Sequence, residues 1–245
     1  MKEERYFYCP DAECENKLPK EEAEHAKRVL RLKEGDSITL IDGKGTYYKA
    51  EITSSDHSSC NYIINEILPQ QPQWRGHLHL AVAPTKMNER MEWLAEKAAE
   101  IGFDELSFID CQFSERKNIK RGRFERIVIS AIKQSHKAWM PRVNDMVNFK
   151  KFISQEREGK KFIAHCYTEP ELQPQGKPFL PDALKGWYGQ VTILIGPEGD
   201  FSTAEVKVAL QNGYQPISLG SSRLRTETAA LVAIHFMNVN AACSC

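Results

Sequence analysis

The sequence predicts an α/β protein with a mostly parallel sheet, preceded by a small β-barrel domain. Short strands with turn signals and a single helix fill the first 68 residues, a pattern typical of small barrels. After residue 74 strands alternate with amphipathic helices, as in a parallel sheet covered by helices. A segment with two prolines at 69–73 separates the two patterns. We therefore place one domain at residues 1–70 and a second at residues 74–245.

The elements of the first domain follow from local patterns. Residues 36–42 alternate apolar and polar side chains, and Asp42-Gly43 is a turn signal typical of β-hairpins. Residues 48–53 and 60–68 are predicted to be further strands. A helix is expected over Lys20–Leu32, because the following apolar residues share one helical face: Ala23, Ala26, Val29 and Leu30.

In the second domain, four helices are predicted between or after the strands. The first has a buried stripe and ends at Gly102, which suits a left-handed cap. The second runs from Phe124 to Ser135, the third begins at a capping box formed by Ser202 and Glu205, and the fourth closes the chain. The stripe of the first helix comprises Met87, Met91, Leu94, Ala98 and Ile101, and the strands cover 77–83, 106–109, 161–165, 191–195 and 216–219.

Composition bounds the class of protein. Of 245 residues, 41% are hydrophobic and 27% charged, as in soluble globular domains. The sequence has neither an apolar run long enough to span a membrane nor a signal peptide. Seven cysteines, an odd number, favour free thiols and a cytoplasmic location. A metal site at Cys9 and Cys14, or at Cys243 and Cys245, is the alternative, but zinc-finger spacing is lacking. No metal is expected, and His77 and His79 are interpreted as surface residues.

A basic segment stands out against the zero net charge of the chain. Between Arg116 and Arg142 nine basic residues face one acid, Glu125. Such a concentration suits a polyanion, because each neutralised phosphate releases counterions. A solvated basic helix is the alternative. The residues are Arg116, Lys117, Lys120, Arg121, Arg123, Arg126, Lys133, Lys137 and Arg142.

Two strand-to-loop junctions carry the pattern of a ligand site. An apolar strand leads into Gly196-Pro197-Glu198-Gly199, and the strand at 216–219 leads into Gly220. Glycines let a ligand approach bare backbone, and ligands of α/β sheets gather at the carboxyl ends of strands. Tight turns without a ligand are the alternative interpretation. The fingerprints of dinucleotide-binding, P-loop and zinc-protease sites are absent from the sequence.

Together these motifs resemble the ribosomal RNA small-subunit methyltransferase E family, which belongs to the SPOUT methyltransferases. The resemblance rests on Leu194–Ser202 with Glu205, on Leu219-Gly220, and on Leu224–Ala229. Upstream, 25–36 with Asp42-Gly43 is similar to the PUA-like barrel of the family. Further matches span most of the remaining chain: Lys86, Met91-Glu92, 97–102, 114–116, Gln134-Ser135 and Pro141.

The resemblance implies a trefoil knot in the second domain and S-adenosyl-L-methionine bent within it. It implies methylation of N3 of one uridine in 16S ribosomal RNA within an assembled small subunit, by a homodimer. Carried over by motif, the cofactor-binding residues are Leu194, Ile195, Gly196, Pro197, Gly199, Leu219, Gly220, Ser221 and Leu224. Expected RNA-binding residues are Arg116, Lys117, Lys120, Arg121 and Arg123, with Arg28 and Arg31 of the barrel.

Methylation at N3 requires loss of the weakly acidic imide proton, since the neutral nitrogen is a poor nucleophile. An arginine near a uracil oxygen would stabilise the developing negative charge. Arg225 is the first candidate, although it could instead pair with Glu227. Many family members carry an arginine at the position of Ser222, so Arg223 is a second candidate. Glu198 is a candidate base, or it holds its loop.

Two rival functions use the same sequence features. A ribosome-assembly protein would bind RNA through the barrel without catalysis, and calorimetry with the cofactor separates it from an enzyme. A SPOUT methyltransferase that acts on another RNA, or on a protein, is the second rival. Mass spectrometry of ribosomal RNA from cells that lack the gene distinguishes that rival.

Overall fold

The computed structural model describes residues 4–55 and 59–242. It divides into two compact units, Met1–Pro72 with Ile129–Met140, and Gln73–Val128 with Pro141–Cys245. The sequence did not indicate that residues 129–140 would pack with the first unit. Cys243 and Cys245, the second candidate metal pair, lie outside the described residues.

The described part of the first unit contains a four-stranded sheet, one complete helix and the C-terminal part of a second helix, Arg121–Gln134. Strand β1 pairs in parallel with β2, and β2, β3 and β4 pair in antiparallel order. One face of the sheet and the helix enclose a core that includes Phe7, Leu40 and Tyr62. The elements are β1 (Tyr6–Tyr8), α1 (Lys20–Arg28), β2 (Ser37–Ile41), β3 (Thr46–Ser55) and β4 (Cys60–Pro69).

Helix α1 is shorter than its apolar pattern predicts. It ends at Arg28, and Arg31 adopts a left-handed conformation with φ 53°. That turn brings Leu32 into the core, where it is 4% exposed, and leaves Val29 65% exposed. Val29 therefore does not belong to the buried face on which we placed it. Leu32 thus reaches the core through a turn after the helix and not as part of it.

The second unit is built on a parallel sheet in the order β11-β9-β10-β5-β6-β7, with β8 paired to β6. All registered strand pairs of this sheet are parallel. The elements are β5 (His77–Val82), α2 (Asn88–Ile101), β6 (Glu105–Asp110), α3 (Arg121–Gln134), β7 (Arg142–Val143), β8 (Val147–Asn148), α4 (Phe149–Ile153), β9 (Lys160–Ala164), α5 (Leu180–Leu184), β10 (Gln190–Ile195), α6 (Thr203–Gln211), β11 (Gln215–Ile217) and α7 (Thr226–Ala241). The predicted α/β class with a parallel sheet is confirmed, and the knot stays a prediction.

Parallel pairing determines where a ligand site can form. Strands β5, β6, β9, β10 and β11 all end at the same edge of the sheet, so the five loops that follow them lie along one edge. The strands are mostly buried, and they bury polar residues such as His79, Ser107 and Thr192 together with the apolar ones. The loops at this edge are therefore where a ligand site is expected.

Two side chains differ from the sequence prediction. Met87 is the N-cap of α2 and is 49% exposed, so the buried stripe begins at Met91. His79 is 4% exposed and its Nε2 lies 2.8 Å from Ser107 Oγ. Its interpretation as a surface residue was wrong, because β5 is a central strand with both faces covered. Burial lowers the pKa of His79 to about 4, so the ring is neutral at physiological pH.

The described cysteines Cys9, Cys14, Cys60, Cys111 and Cys166 are free thiols. In residues 4–55 and 59–242, groups of three or more residues able to hold a metal ion are not found. None of the helices in this part of the chain is long and apolar enough to cross a membrane.

Candidate functional site

The loop after β10 is a rigid turn that leads into α6. Asp200 adopts φ 67° and its N–H donates to the carbonyl oxygen of Pro197. The predicted capping box is present, since Ser202 and Glu205 satisfy each other's backbone N–H groups at the start of α6. The turn therefore keeps a fixed conformation between a buried strand and a capped helix.

The loop after β11 has a more open glycine. Gly220 adopts φ 129°, a conformation that favours glycine. Ser218 Oγ and the backbone of Gly220 form hydrogen bonds of 3.2 Å that hold the bend. Ser221 is exposed, and Leu219 and Leu224 are partly buried. The bend thus presents main chain and small side chains at the edge of the sheet.

A buried hydrogen bond joins the first loop to the segment that follows the second. Thr226, the first residue of α7, donates from Oγ1 to the carbonyl oxygen of Gly196 over 3.0 Å. Thr226 is 7% exposed, so water competes little for this bond. The structure therefore brings together the two glycine-containing segments that the sequence singled out.

The end of β9 is a third part of this edge that the sequence analysis missed. Strand β9 lies between β10 and β11, and the N–H of Cys166 donates to Asp200 Oδ2 over 2.7 Å. His165 is 8% exposed, and burial with nearby Lys177 lowers its pKa to about 4. The strand at 161–165 was predicted, so its carboxyl end was a signal for residues 165–166 that we did not use.

The space around each glycine shows whether a ligand could contact bare backbone at this edge of the sheet. A methyl group added at Gly220 would meet no atom within 4 Å, so open space lies there. A methyl group at Gly196 would instead lie 3.1 Å from Phe201 Cδ2. Gly196 therefore permits Phe201 to pack beneath the loop, which corrects the idea that its missing side chain leaves ligand space. The open backbone at Gly220 fits a ligand such as S-adenosyl-L-methionine.

The other predicted cofactor residues differ in what they expose. Leu194 and Ile195 belong to β10 with buried side chains, and Leu194 packs in the core of the unit. Pro197 is buried in the turn, whereas Gly199 is exposed. Leu194 and Ile195 thus position the loop, and the exposed part of the set lies at Gly199, Gly220 and Ser221.

Glu198 holds a neighbouring loop. Its Oε1 accepts a hydrogen bond of 2.9 Å from the N–H of Lys86, in the loop that follows β5. The carboxylate is exposed to solvent. This geometry favours the structural alternative for Glu198 over the role of a base, because the hydrogen bond uses the carboxylate to fix backbone.

Arg116 holds the same loop from the other side. Its Nε donates to the carbonyl oxygen of Thr85 over 3.2 Å, and its Nη2 donates to that of Lys86 over 2.6 Å. Arg116, after β6, and Glu198, after β10, therefore both hold the backbone at Thr85-Lys86, after β5, through charge-assisted hydrogen bonds. Arg116 was predicted to bind RNA, but in the structure its guanidinium is directed at protein backbone.

Arg225 is the N-cap of α7 and is exposed. Its guanidinium has no hydrogen bond or ion pair within residues 4–55 and 59–242. The alternative partner Glu227 instead forms an ion pair of 3.4 Å with Arg90. Arg223 is exposed as well, and its charge acts on Cys166, at the end of β9. Both arginines thus follow the Gly220 loop closely in the chain, and their side chains are exposed to solvent.

Most of the basic segment is already paired. Lys117 lies 2.7 Å from Asp110, Arg121 lies 2.8 Å from Glu125, and Arg123 lies 2.7 Å from Glu92. Such exposed pairs contribute little stability and can exchange for a phosphate. Lys120 and Arg126 are exposed and have no partner among the described side chains. In the first unit, Arg28 and Arg31 are also exposed.

Comparison with known proteins identifies the family. A model of an RNA methyltransferase domain matches residues 72–238, and a model of an RNA methyltransferase PUA domain matches residues 18–64. The ribosomal RNA small subunit methyltransferase E of Synechocystis sp. is 29% identical over 219 residues, which cover 87% of this chain and 69% of that protein.

Solved structures agree over almost the whole chain. A protein from Porphyromonas gingivalis, described as a probable rRNA-methyltransferase, is 43% identical with a TM-score of 0.87 and covers 97% of this chain and 98% of its own. The ribosomal RNA small subunit methyltransferase E of Neisseria gonorrhoeae, solved bound to S-adenosyl methionine, is 25% identical with a TM-score of 0.82 over the same shares. The chain belongs to the ribosomal RNA small subunit methyltransferase E family of RNA methyltransferases.

Proposed function

We propose that this protein transfers a methyl group from S-adenosyl-L-methionine to N3 of one uridine in 16S ribosomal RNA. The observation that carries the proposal is the pair of glycine loops at the carboxyl edge of the sheet, together with the hydrogen bond from Thr226, which follows the second loop, to Gly196 in the first. A family member with the same fold was solved with this cofactor bound. We further propose that the protein acts as a cytoplasmic homodimer on an assembled small subunit.

The cofactor, when bound, supplies an electrophilic methyl group on a sulfonium. Open backbone at Gly220 and the neighbouring Ser221 would hold it on one side, and the Pro197–Gly199 turn on the other. Leu194, Ile195, Gly196, Leu219 and Leu224 would shape the pocket behind them. Because the turns are held by hydrogen bonds before a ligand arrives, little ordering cost remains for binding.

Arg225 would stabilise charge on the uracil ring. Its guanidinium is exposed and without a protein partner in the described chain, so it can donate to an imide oxygen as the N3 proton leaves. Glu198 would act as a positioning residue, because its carboxylate holds the N–H of Lys86. Alignment of the target base against the cofactor would supply much of the remaining rate.

A deletion strain tests the proposed function. We expect 16S ribosomal RNA from cells that lack the gene to miss one N3-methyluridine, and the wild-type gene to restore it. Mass spectrometry of nuclease digests measures the change. An unchanged 16S profile with a methylation lost from another RNA would contradict the ribosomal substrate. Failure to bind S-adenosyl-L-methionine in calorimetry would favour the non-catalytic assembly protein.

The basic segment gives a prediction for RNA affinity. Lys120→Ala and Arg126→Ala should each weaken binding and reduce the slope of log affinity against log salt by about 0.7–0.9, the value for one lost phosphate contact. Lys117, Arg121 and Arg123 should contribute less per residue, since a bound phosphate must displace a carboxylate. Arg116→Ala should leave the slope unchanged, because its guanidinium holds backbone.

Filter binding across salt concentrations measures these slopes. Lys185→Ala provides a control, since Lys185 is an exposed lysine outside the basic segment. If Lys120→Ala and Arg126→Ala keep the wild-type slope, the segment is a solvated face and RNA binds elsewhere.

A further inference from the structure

Phe113 is an exposed aromatic residue at the edge of the sheet where the loops meet. It follows β6 in the turn Cys111–Ser114 and is 46% exposed. Isolated exposed apolar residues are common and need no explanation. The surroundings of Phe113 distinguish it, because its turn is held rigidly and lies against the loop after β10.

Hydrogen bonds fix the turn that presents Phe113. The N–H of Cys111 donates to Ser114 Oγ over 3.0 Å, and the N–H of Ser114 donates to the carbonyl oxygen of Cys111 over 3.1 Å. The N–H of Gln112 donates to Oε1 of Glu205 over 2.8 Å. Glu205 is the capping-box residue of α6, so the turn is tied to the same helix start as the glycine loop. The backbone that carries Phe113 is therefore held in place, and the ring itself is exposed.

Phe113 also touches the glycine motif directly. A methyl group added at Gly199 would lie 3.3 Å from Phe113 Cβ, so glycine lets the two loops approach closely. A cleft of about 450 Å³ opens beside the turn, with Gln112, Lys117 and Lys150 among its lining residues. A planar group lying on Phe113 thus has the glycine loop next to it and a polar cleft nearby, whose lining also includes the carboxylates of Asp110 and Glu205.

We propose that Phe113 is the platform on which the base of the target nucleotide stacks. An unpaired base offers a flat π-face, and aromatic side chains are the usual partners of unstacked bases in RNA recognition. An aromatic ring exposed beside the cofactor loops, on a backbone turn held by hydrogen bonds, meets this need. The proposal rests on the proposed function and adds a residue that positions the substrate.

Three variants test the platform. Phe113→Leu keeps an apolar contact with the Gly199 loop but removes the π-face. Phe113→Trp keeps a π-face. Phe179→Leu is the matched control, because Phe179 is 39% exposed and packs edge-on against Phe236 at 5.2 Å. The probe is the small ribosomal subunit isolated from cells that lack the gene. Single-turnover methylation is measured against subunit concentration, and cofactor affinity is measured by calorimetry.

We expect Phe113→Leu to raise the half-saturating subunit concentration by about 5- to 150-fold, the range for loss of one base–aromatic stack. Phe113→Trp should fall within about threefold of the wild type, because an indole stacks at least as well. Phe179→Leu should match the wild type, and all three variants should bind S-adenosyl-L-methionine normally.

Each other outcome overturns the proposal in a recognisable way. Equal behaviour of Phe113→Leu and Phe179→Leu would show that no base stacks on Phe113, while methylation by the wild type would keep the proposed function. Lost cofactor affinity in Phe113→Leu would make the residue a support of the cofactor loop. Absence of methylation by the wild-type protein would overturn the proposed function and the platform with it.

Discussion

Replacement of Gly220 by valine is expected to abolish binding of S-adenosyl-L-methionine while the protein remains folded. The added side chain would enter the open space beside the bend, where no atom lies within 4 Å of the position of a Cβ. A conformation of this kind in a residue other than glycine costs on the order of 1–3 kcal/mol. That cost is small beside a typical stability of about 5–15 kcal/mol. Loss of binding would therefore show that the valine side chain fills space that the cofactor needs.

Gly186→Val is the matched control for backbone strain. Gly186 has φ 72° and nothing within 4 Å of its Cβ position, but it lies between α5 and β10, away from the glycine motifs. We expect both variants to lose some thermal stability yet remain folded, and only Gly220→Val to lose the calorimetric signal of cofactor binding. Normal cofactor affinity in folded Gly220→Val would remove Gly220 from the proposed pocket.

Gly196→Val should behave differently from Gly220→Val. Its side chain would collide with Phe201, a buried residue that packs at the base of the loop. We therefore expect loss of stability together with any loss of binding, which makes this variant unsuitable as a test of ligand space.

Replacement of Arg225 by alanine is expected to slow methylation by about 10²–10³-fold, the usual effect of removing one donor to a developing oxyanion. Folding and cofactor affinity should change little, because the guanidinium is exposed and has no hydrogen bond or ion pair with a described residue. Higher pH should partly rescue the variant, since a larger fraction of the uridine has then already lost its N3 proton.

Single-turnover rates on small subunits across pH measure this effect, with Arg223→Ala as the neighbouring control. We expect Arg223→Ala to be affected less, unless Arg223 performs the task of the arginine that Ser222 replaces. A near-normal rate for Arg225→Ala, or a loss that thermal unfolding fully explains, would leave Arg225 with a structural role. A loss without any rescue at high pH would point to binding of RNA rather than to charge on the base.

Local signals in the sequence predicted much of the fold. The capping box at Ser202 and Glu205, the parallel strands and the closing helix are all present. Each of these depends on residues within one or two turns of the chain, so short-range patterns contain the necessary information. Two predictions failed where tertiary packing differed from the local pattern. Helix α1 ends at Arg28 and not at Leu32, and Met87 is the exposed N-cap of α2 and not part of its buried stripe.

The sequence by itself determined the fold class, the family and the two glycine motifs, because these follow from short patterns and their order. Only the tertiary structure showed that Arg116 and Glu198 fix the loop at Thr85-Lys86, that Phe201 packs against Gly196, and that the end of β9 joins the site. Lys86 and Glu198 are 112 residues apart in the chain. No local periodicity specifies such a contact, since it depends on the order in which parallel strands assemble into the sheet.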